Sequence, residues 1–563
     1  MKYLYLLAVL LLMAPNSKAQ TWDWEWERAG GGTAAEELGG QSVSDLVGNT
    51  YVIGNFKSTT ASFGVFTLPL TGTRNMFVAR YNYLGNVIWA RSSSACNDSR
   101  AMAVALDPMG SGVFVAGTYT GPSITFDTVT LTSATNGGMF IVKYDNSGNV
   151  VWAKNATETN SSSALSVAAD VWGNCYVAGE YKGTSIGFGT ATVNNFGLDT
   201  FDMFLVKYDN SGNAVWAKGA GGSGLDGANS ISIGSSGAGD VYVTGYFSSP
   251  VATFSPLTLN NANSNLNTFI VKYDTSGNAL WARKSIGNTG RNGNWVAAAI
   301  DPAEDVFVSG SFTGPTVQFD TATLSNVNSN TLDVFLLQYD SSGNLKHAMR
   351  AGGDKDEIAG VTVDQNVGGR IFLTGYYSSD SLSIDTFTLH NYMTDGSTDI
   401  FSIGFNDQWQ SFFAKTAGGP LNDRALSCSV HGVGDMYIGG DFAGQYMFFG
   451  NDTAENHAIN GSADIFVAKL SIPINGIGNT EQSGAGISIY PNPAHDLLNI
   501  QVPVNIGDAS VSLFSLSGQK INVPVNNISR GMQMQLSGIA PGMYLLQVKH
   551  GSTLQYFKVM YRL

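Results

Sequence analysis

The chain has 563 residues, of which 67 are glycine, whereas charged residues make up only 13%. A hydrophobic fraction of 43% is sufficient for packed cores and excludes an intrinsically disordered chain. The length exceeds that of a single core, and the net charge of −14 has the wrong sign for binding a nucleic-acid backbone or an anionic membrane.

The first residues have the features of a secretory signal peptide. A positively charged start precedes an apolar stretch, residues 3–15, that is too short to span a bilayer as a helix. A small-x-small sequence then predicts cleavage between Ala19 and Gln20, so that residues 1–19 are removed. No later segment is long and apolar enough to predict a transmembrane helix.

Residues 20–471 form an internal repeat. The segment MFIVKYDNSGNVVWAK (139–154) recurs as MFLVKYDNSGNAVWAK (203–218) and TFIVKYDTSGNALWAR (268–283), with weaker copies on both sides. Each repeat contains four short strand patterns, the last two joined by a Gly-containing hairpin turn. One strand position recurs at intervals of 63 to 66 residues, as Trp26, Trp89, Trp152, Trp216, Trp281, His347 and Phe413. The pattern predicts an all-β array of four-stranded blades.

The ends of the array predict a closed ring. The strand before the hairpin turn occurs seven times, and the last copy, at 465–470, has no partner after it. The Trp-type strand also occurs seven times, and the first copy, at Trp26, has no partner before it. Pairing these two strands closes a seven-bladed β-propeller, whereas a linear solenoid would leave both unpaired. Segments such as GGSGLDGA (221–228) and GDVYVTGY (239–246) resemble the SBBP family of seven-bladed propellers, which implies a fold and no single activity.

Strand parity assigns the connections between strands to two faces. The short turns share one face, and the long, diverse connections share the other, which we predict to be the contact surface. The candidate ligand-facing residues there are Asp226, Asp356, Asp423, Tyr246 and Tyr376. The three Asp recur before inner strands, so loop architecture explains them, although carboxylates on one face could also bind a cation or a basic partner. A glycan would be sought first at Tyr119, Phe126, Tyr246, Phe247, Tyr376 and Tyr377.

No catalytic or cofactor site can be assigned from the sequence. None of the six histidines forms a metal-ligand pair, and Ser185 in GTSIG lacks the strand–turn–helix context of a nucleophile elbow. The Asp of the YD-x-S-G-N turns lacks the carboxylate that an EF-hand needs twelve residues on, so Asx turns are favoured over calcium. We interpret the repeated Trp as packing between neighbouring blades. No disulfide is expected between Cys96, Cys175 and Cys428, of which the first lies in a polar connection.

The last part of the chain differs from the repeat. Residues 472–486 are typical of a linker, and the strand patterns and Pro/Gly turns of residues 487–563 predict a small Ig-like β-sandwich. Four elements in order, YPNP, LFSLSGQK, PGMYLL and a terminal FKV, resemble the type A C-terminal sorting domain of the type IX secretion system of Bacteroidetes. The match is carried by Tyr490, Pro491, Asn492, Pro493, Gly518, Gly542, Tyr544 and Lys558. A generic Ig-like module is the alternative.

The sorting-domain resemblance implies a route and a location. After transfer to the periplasm, the type IX machinery would carry the protein through the outer membrane, and a sorting protease would remove the domain. Attachment to surface lipopolysaccharide would then be possible, so the expected location is the cell surface or the medium. The leading function is binding of an extracellular glycan or protein, without catalysis. The alternatives are a hydrolytic or lytic enzyme with a site on the long-loop face, and a structural surface-layer component.

Overall fold

A computed structural model describes residues 22–34, 41–45, 48–158, 160–197, 200–234, 239–262, 265–289, 297–301, 303–364, 370–431, 435–457, 462–471, 488–490, 494, 496–501, 509–515, 520–528, 531–539, 542–550 and 553–561. Every regular element in these ranges is a β-strand, so the all-β prediction is confirmed. The chain divides into a repeat region, Trp24–Ser471, and a C-terminal region formed by Ile472–Leu563 with Met1–Asp23. The predicted signal peptide and the linker lie outside the described residues.

The repeat region is built from seven β-units of similar strand content. Strand β1 spans Asp23–Gly30 and precedes them. β-unit 1 contains β2 (Ser42–Ser44), β3 (Thr50–Phe56), β4 (Thr60–Phe63), β5 (Phe66–Pro69), β6 (Asn75–Tyr81) and β7 (Val87–Ser94). β-unit 2 contains β8 (Asp98–Leu106), β9 (Gly112–Thr120), β10 (Ser123–Phe126), β11 (Val129–Thr132), β12 (Gly137–Asp145) and β13 (Val150–Asn155), followed by β14 (Thr157–Glu158). β-unit 3 contains β15 (Ser161–Ala169), β16 (Cys175–Lys182), β17 (Ser185–Phe188), β18 (Ala191–Asn194), β19 (Asp202–Tyr208) and β20 (Ala214–Ala220).

The remaining four β-units continue the same order of strands. β-unit 4 contains β21 (Asp226–Ile233), β22 (Val241–Phe247), β23 (Val251–Phe254), β24 (Leu257–Asn260), β25 (Asn267–Tyr273) and β26 (Ala279–Asn288). β-unit 5 contains β27 (Ala297–Ile300), β28 (Val306–Phe319), β29 (Ala322–Ser325), β30 (Asp333–Tyr339) and β31 (Leu345–Ala351). β-unit 6 contains β32 (Glu357–Asp364), β33 (Arg370–Tyr377), β34 (Ser381–Ile384), β35 (Phe387–His390), β36 (Asp399–Phe405) and β37 (Ser411–Ala417). β-unit 7 contains β38 (Asp423–His431), β39 (Asp435–Phe442), β40 (Tyr446–Phe449), β41 (Asp452–Glu455) and β42 (Asp464–Ser471).

Each β-unit has a core sheet of four strands. Six runs of four paired strands follow the chain as β2-β3-β6-β7, β8-β9-β12-β13, β15-β16-β19-β20, β21-β22-β25-β26, β27-β28-β30-β31 and β32-β33-β36-β37. Pairing of β7 with β10 and of β26 with β28 joins some of these runs into larger sheets. We call these positions the first to fourth strands. In β-unit 7, β38-β39-β42 supply three strands, and β1 lies beside β42 in the fourth position, as the strand count predicted.

Neighbouring β-units contact through their first strands. These contacts run in chain order from β2 to β38, and β38 of β-unit 7 in turn contacts β2 of β-unit 1. The Ser42 and Ser427 hydroxyls lie 3.0 Å apart across this last junction, and those of Ser44 and Ser429 lie 2.9 Å apart. The side that carries the first–second and third–fourth turns is called the turn face, and the opposite side the loop face.

The long connections on the loop face are largely ordered. Between the second and third strands every β-unit has a short hairpin: β4-β5, β10-β11, β17-β18, β23-β24, the end of β28 with β29, β34-β35 and β40-β41. The hairpins bury apolar side chains against the core sheet, as Phe126 does with its ring 5.0 Å from that of Phe140. These hairpins are therefore part of the packed scaffold and not free contact loops.

The repeated Trp joins each β-unit to the next. Trp89 Nε1 donates to the Asn146 carbonyl oxygen at 3.0 Å, and a Cβ on Gly148 of the same turn would lie 2.8 Å from the indole ring. Equivalent bonds, at 3.0 to 3.2 Å, run from Trp26, Trp152, Trp216 and Trp281 to the carbonyl oxygens of Tyr83, Asn210, Thr275 and Ser341. The interpretation of the Trp positions as inter-unit packing is confirmed, and Trp26 makes this contact between β1 and β-unit 1.

The junction between β-units 5 and 6 exchanges the two partners of this contact. His347 stands in the Trp position, while Trp409, with φ 61°, stands where the other turns have glycine. The two rings are 5.1 Å apart, and Trp409 Nε1 donates to Gln338 Oε1 at 2.9 Å. The large ring therefore comes from the turn instead of the strand, and the space between the β-units stays filled.

The Asp of the hairpin turns forms Asx turns, as predicted. Asp209 Oδ1 accepts hydrogen bonds from the Ser211 and Asn213 N–H groups at 2.9 and 2.8 Å, and Asp145, Asp274 and Asp340 make the same pair of bonds. Hydrogen bonds from the Asn213 side chain and then from the backbone hold the pKa of Asp209 below its ordinary value. The polar turn sequence therefore stabilises the hairpin itself.

All three cysteines are free in the structure. Cys175 is buried in β16, and burial raises the pKa of its thiol. Cys96 is buried as well and belongs to the core that β-units 1 and 2 share, although the sequence placed it in a polar connection. These thiols pack as small apolar side chains.

The C-terminal region contains two four-stranded antiparallel sheets. The strands are β43 (Ser488–Tyr490), β44 (Leu497–Gln501), β45 (Ala509–Ser515), β46 (Lys520–Ile521), β47 (Val525–Ile528), β48 (Gly531–Gln535), β49 (Gly542–His550) and β50 (Thr553–Tyr561). Sheets β43-β44-β48-β47 and β46-β45-β49-β50 share one apolar core, to which Ile500 and Leu546 contribute. Tyr544 is buried in that core, whereas Pro491, Asn492, Pro493 and Gly518 lie outside the described residues.

Candidate functional site

One position near the end of the second strand varies widely among the β-units, whereas its two neighbours keep their residue type. The sequence there is Gly-X-aromatic in all seven, and X is Asn55, Thr118, Glu180, Tyr246, Ser311, Tyr376 or Asp441. The glycine is required because a Cβ on Gly179 would lie 1.9 Å from the Ser163 carbonyl oxygen. We call the seven X residues the mouth positions, since they lie where the second strands reach the loop face.

The mouth side chains reach toward the first strand of the next β-unit. Asn55 Oδ1 accepts a hydrogen bond from the Ala101 N–H at 2.8 Å, and Ser311 Oγ donates to the Glu357 carbonyl oxygen at 2.9 Å. Thr118 Oγ1 donates to the Ser162 carbonyl oxygen at 3.2 Å. The smaller mouth residues therefore help to hold adjacent β-units together.

The larger mouth residues form two polar clusters. In β-units 3 and 4, the Tyr246 hydroxyl donates to Glu180 Oε2. In β-unit 7, Arg424 donates through Nε and Nη2 to both carboxylate oxygens of Asp441, at 2.8 and 3.0 Å. Burial raises the pKa of Tyr376 in β-unit 6, and the charge of Arg424 partly offsets this. Phenol and carboxylate groups therefore occupy equivalent places in different β-units, and Arg424 on the first strand of β-unit 7 pairs with one of the carboxylates.

Three pairs of buried carboxyl groups also lie at the loop face. The first residue of a third strand approaches the first residue of the next β-unit's first strand in the pairs Asp202/Asp226, Asp333/Glu357 and Asp399/Asp423, each at most 1% exposed. A Gly-Gly segment packs against each pair. A Cβ on Gly221 would lie 2.2 Å from Asp202 Oδ1 and 3.1 Å from Asp226 Oδ2, so a larger residue would collide with the carboxyl groups. Burial is the main cause that raises the pKa of Asp202 to about 7 and that of Glu357 to about 8.

These pairs correct part of the sequence analysis. Asp226 and Asp423 were expected to face a ligand but are buried beneath the Gly-Gly segments. Asp356 is exposed, and its neighbour Glu357 takes the position equivalent to Asp226. The partners at the start of the third strands were missed, because a single Asp or Asn at a strand end carries no local signal of a contact more than twenty residues away.

The predicted aromatic glycan site is also corrected. Tyr119, Phe126, Phe247 and Tyr377 are at most 2% exposed and belong to the core. Tyr246 is 5% exposed and bonded to Glu180, whereas Tyr376 is partly exposed. Of the five candidate ligand-facing residues, the structure therefore keeps Tyr246 and Tyr376 at the mouth. The Gly-X-aromatic pattern, visible in the sequence, is the signal that could have identified the whole set.

The described residues contain no other obvious chemical centre. No three His, Cys, Asp or Glu side chains among them lie together as metal ligands would. Ser185 begins the hairpin strand β17, so the strand–turn–helix of a nucleophile elbow is not formed there. His457 Nδ1 lies 2.9 Å from Asp464 Oδ2, which also accepts a hydrogen bond from the His457 N–H at 2.7 Å. No helix in the described part of the chain is long and apolar enough to cross a membrane.

Comparisons with known proteins identify the C-terminal region. Residues 488–561 match the family described as secretion system C-terminal sorting domain. This domain marks proteins that the type IX secretion system exports to the cell surface or the extracellular space, and the chain is such a protein.

The repeat region has a distant relative among curated proteins. An uncharacterized WD repeat-containing protein, L264, of Acanthamoeba polyphaga mimivirus is 26% identical in an alignment 342 residues long that covers 49% of this chain. The match covers only 24% of the viral protein. It supports a propeller-like repeat fold and carries no activity with it.

Likenesses to solved structures are weak. A DUF4221 member from Bacteroides vulgatus has a TM-score of 0.31 at 10% identity, covering 81% of this chain and 100% of that one. The intramolecular trans-sialidase from Ruminococcus gnavus has a TM-score of 0.30 at 11% identity, and the match covers 74% of this chain and 90% of the sialidase chain. Sqt1 from Chaetomium thermophilum has a TM-score of 0.30 at 9% identity, and the match covers 82% of this chain and 96% of the Sqt1 chain. At these TM-scores the likenesses carry no argument about function.

Proposed function

We propose that the seven β-units form a closed seven-bladed β-propeller and that this ring is an extracellular binding module. Its ligand contacts the partly exposed mouth residues, Thr118, Glu180 and Tyr376, while the buried mouth residues shape the site beneath them. The observation that supports binding most directly is the Gly-X-aromatic pattern. Residues that the fold needs recur in all β-units, whereas X varies between amide, hydroxyl, phenol and carboxylate groups. In repeat proteins, variation confined to one face is typical of a binding surface.

Ring closure is supported by two contacts between β-units 7 and 1. The first strands β38 and β2 meet through paired serine hydroxyls, and Trp26 of β1 bonds the turn of β-unit 1. A closed ring also removes the exposed sheet edges that would otherwise invite aggregation.

The positions at which the chain enters and leaves the repeat region favour the loop face as the binding face. β42 ends at Ser471 and β1 begins at Asp23, and strand parity places both of these ends on the turn face. Chain that continues from Ser471 therefore starts on the turn face, and attachment through it would leave the mouth positions on the loop face accessible. This arrangement suits a protein displayed on a cell surface.

The mouth chemistry favours a polar ligand with several hydroxyl or amide groups. Tyr376 offers a partly exposed ring, and Glu180 offers a partly exposed carboxylate. Such mixtures of aromatic and hydrogen-bonding groups bind glycans and polar segments of proteins. We therefore propose an extracellular glycan or protein as the ligand.

A hydrolytic enzyme is the second candidate function. It is favoured by the hydrogen bond from the Tyr246 hydroxyl to Glu180, because a hydroxyl bonded to a carboxylate is the arrangement of a nucleophile and its base. Tyr246→Phe would remove turnover while leaving binding within about twofold if the pair acts chemically.

The purified protein, without signal and sorting domain, should be applied to glycan and peptide arrays, and bound compounds should be tested for turnover. We expect Tyr376→Ala to weaken binding at least about tenfold, the loss of one well-placed contact. Trp172→Ala is the matched control, because Trp172 is 52% exposed on a first–second turn, on the turn face. Loss of binding in the control but not in Tyr376→Ala would refute the mouth as the site.

A further inference from the structure

The hairpin of β-unit 7 differs from the other six hairpins on its exposed face. In β40, Tyr446 and Phe448 alternate with the buried Met447 and Phe449, and Tyr446 is 39% exposed. The equivalent pairs in β-units 1 to 6 are Thr60 and Ser62, Ser123 and Thr125, Ser185 and Gly187, Val251 and Thr253, Thr316 and Gln318, and Ser381 and Ser383. Six hairpins therefore form without an aromatic ring at either position, so the fold does not require the two rings of β-unit 7.

A third aromatic side chain comes from β-unit 6. Tyr392 lies in the connection between β35 and β36, and its ring is 5.3 Å from that of Phe448, with 23° between the two planes. Tyr392 is 57% exposed, so the stacked pair leaves much of its ring open to solvent. We call Tyr392, Tyr446 and Phe448 the aromatic platform. It lies at the junction of β-units 6 and 7, and none of its members is a mouth position.

Backbone hydrogen bonds hold the two stacked residues in place. The Tyr392 N–H donates to Asp399 Oδ2 at 2.5 Å. The Phe448 N–H donates to the Gly418 carbonyl oxygen at 2.9 Å, and the Gly418 N–H donates to the Phe448 carbonyl oxygen at 3.2 Å. Because these rings are positioned before a ligand arrives, binding loses little conformational freedom of the protein.

Hydrogen-bonding groups border the rings. Glu455 of β41 lies directly opposite Tyr446, and Thr453 lies opposite Phe448, so these four side chains share the exposed face of the hairpin. Gln445 Nε2 donates to the Tyr446 hydroxyl at 3.3 Å. Ring faces that attract C–H groups, beside a hydroxyl, an amide and a carboxylate, match the C–H and hydroxyl groups of a sugar. The carboxylate of Glu455 repels an acidic sugar and therefore favours a neutral one.

The size of the aromatic platform favours a glycan over a protein partner. One aromatic side chain buries about 150–250 Å² when it is covered, so three rings offer about 750 Å² at most. Less than half of this area is still exposed, because Phe448 and most of Tyr446 are already covered. A stable protein–protein interface needs about 800 Å² on each partner. The exposed rings are therefore too small a surface for a protein and sufficient for a few sugar units.

We propose that the aromatic platform binds a neutral glycan, whose sugar rings stack on its exposed ring faces. Thr453, Gln445 and Glu455 provide hydrogen bonds to the hydroxyl groups of the glycan. This site is separate from the mouth positions and does not depend on the function proposed for them.

The test is electrophoresis of the purified protein in native gels that each contain one neutral polysaccharide: laminarin, xylan, starch or galactomannan. We expect at least one of them to retard the wild-type protein. The double variant Tyr446→Val with Phe448→Thr has the residues that β-unit 4 has at these positions, so it should keep its Tm and bind at least about tenfold more weakly. Val251→Ala is the matched control, because Val251 is 46% exposed at the position equivalent to Tyr446, and it should bind like the wild type.

Tyr376→Ala separates this site from the mouth positions and should leave the retardation unchanged. Retardation that Tyr376→Ala loses and the double variant keeps overturns the platform proposal and supports the mouth as the glycan site. No retardation by any of the four polysaccharides, or equal retardation of the wild type and the double variant, also overturns it. A wild-type dimer in analytical ultracentrifugation that the double variant converts to a monomer would assign the rings to self-association and overturn it as well.

Discussion

The contact between the repeated Trp and the turn glycine of the next β-unit allows a quantitative test. Gly212 has φ +79°, and a Cβ on it would lie 2.8 Å from Trp152 Cδ2 and 3.0 Å from Lys154 Cε. Gly189 has φ +60° and would place its Cβ in open space. Gly212→Ala and Gly189→Ala therefore share the backbone cost, and only the first adds a clash with the indole.

The expected magnitudes follow from these two terms. An alanine in the left-handed region costs about 1–2 kcal/mol, which is the whole effect for Gly189→Ala. Forcing a methyl group against a packed ring costs about 1–3 kcal/mol more, so Gly212→Ala should lose about 2–5 kcal/mol. The difference between the variants measures how tightly the Trp–turn contact is packed.

Urea denaturation followed by tryptophan fluorescence provides the free energies of unfolding. The double variant Gly212→Ala with Trp152→Ala should lose less than the sum of its single variants, because removing the indole removes the clash. Equal losses for Gly212→Ala and Gly189→Ala, or strict additivity in the double variant, would refute the packing argument.

Four further predictions test other parts of the fold. Deletion of residues 22–30 removes β1 and exposes the edge of β42, so light scattering should detect dimers or aggregates; a monomer with unchanged Tm would contradict this. Burial raises the pKa of Glu357 from 4.5 to about 8, so wild-type Tm should fall as pH rises from 5 to 8, and Glu357→Gln should fall less; parallel curves would contradict it. Cys175 is 0% exposed, so a thiol reagent should modify it only after urea unfolding, and rapid native labelling would argue against the buried placement. Deletion of residues 487–563 should retain the protein in the periplasm, as cell fractionation would reveal.

Local sequence patterns identified the strands correctly because each pattern reports its own environment. Alternation of apolar residues predicted the strands, and the Asp-x-Ser-Gly-Asn turns predicted the Asx bonds that Asp209 makes. Counting strands even predicted the partner of β1, since two unpaired strands of matching type remained at the ends. Repetition within one chain thus supplied information about a long-range strand pair that a sequence without repeats would lack.

The candidate site was predicted less well than the fold. Tyr246 and Tyr376 were placed at the mouth by their position in the long connections, but the packed hairpins buried the other aromatic residues. Asp356 was chosen where Glu357 occupies the equivalent position, because the register of a strand cannot be read from one acidic residue to within a single position. A shift of one residue turns a side chain to the other face of the sheet.

The sequence by itself determined the strand order, the turn types, the seven-fold repetition and the sorting signal, because these depend on residues close together in the chain. Only the tertiary structure decided which side chains meet, such as His347 with Trp409 and Asp399 with Asp423. It also decided that strand β38 contacts strand β2. Such contacts join residues from different β-units, and their energies depend on burial and on the exact fit of two surfaces. Local composition contains neither quantity, so these features emerge only when the β-units pack.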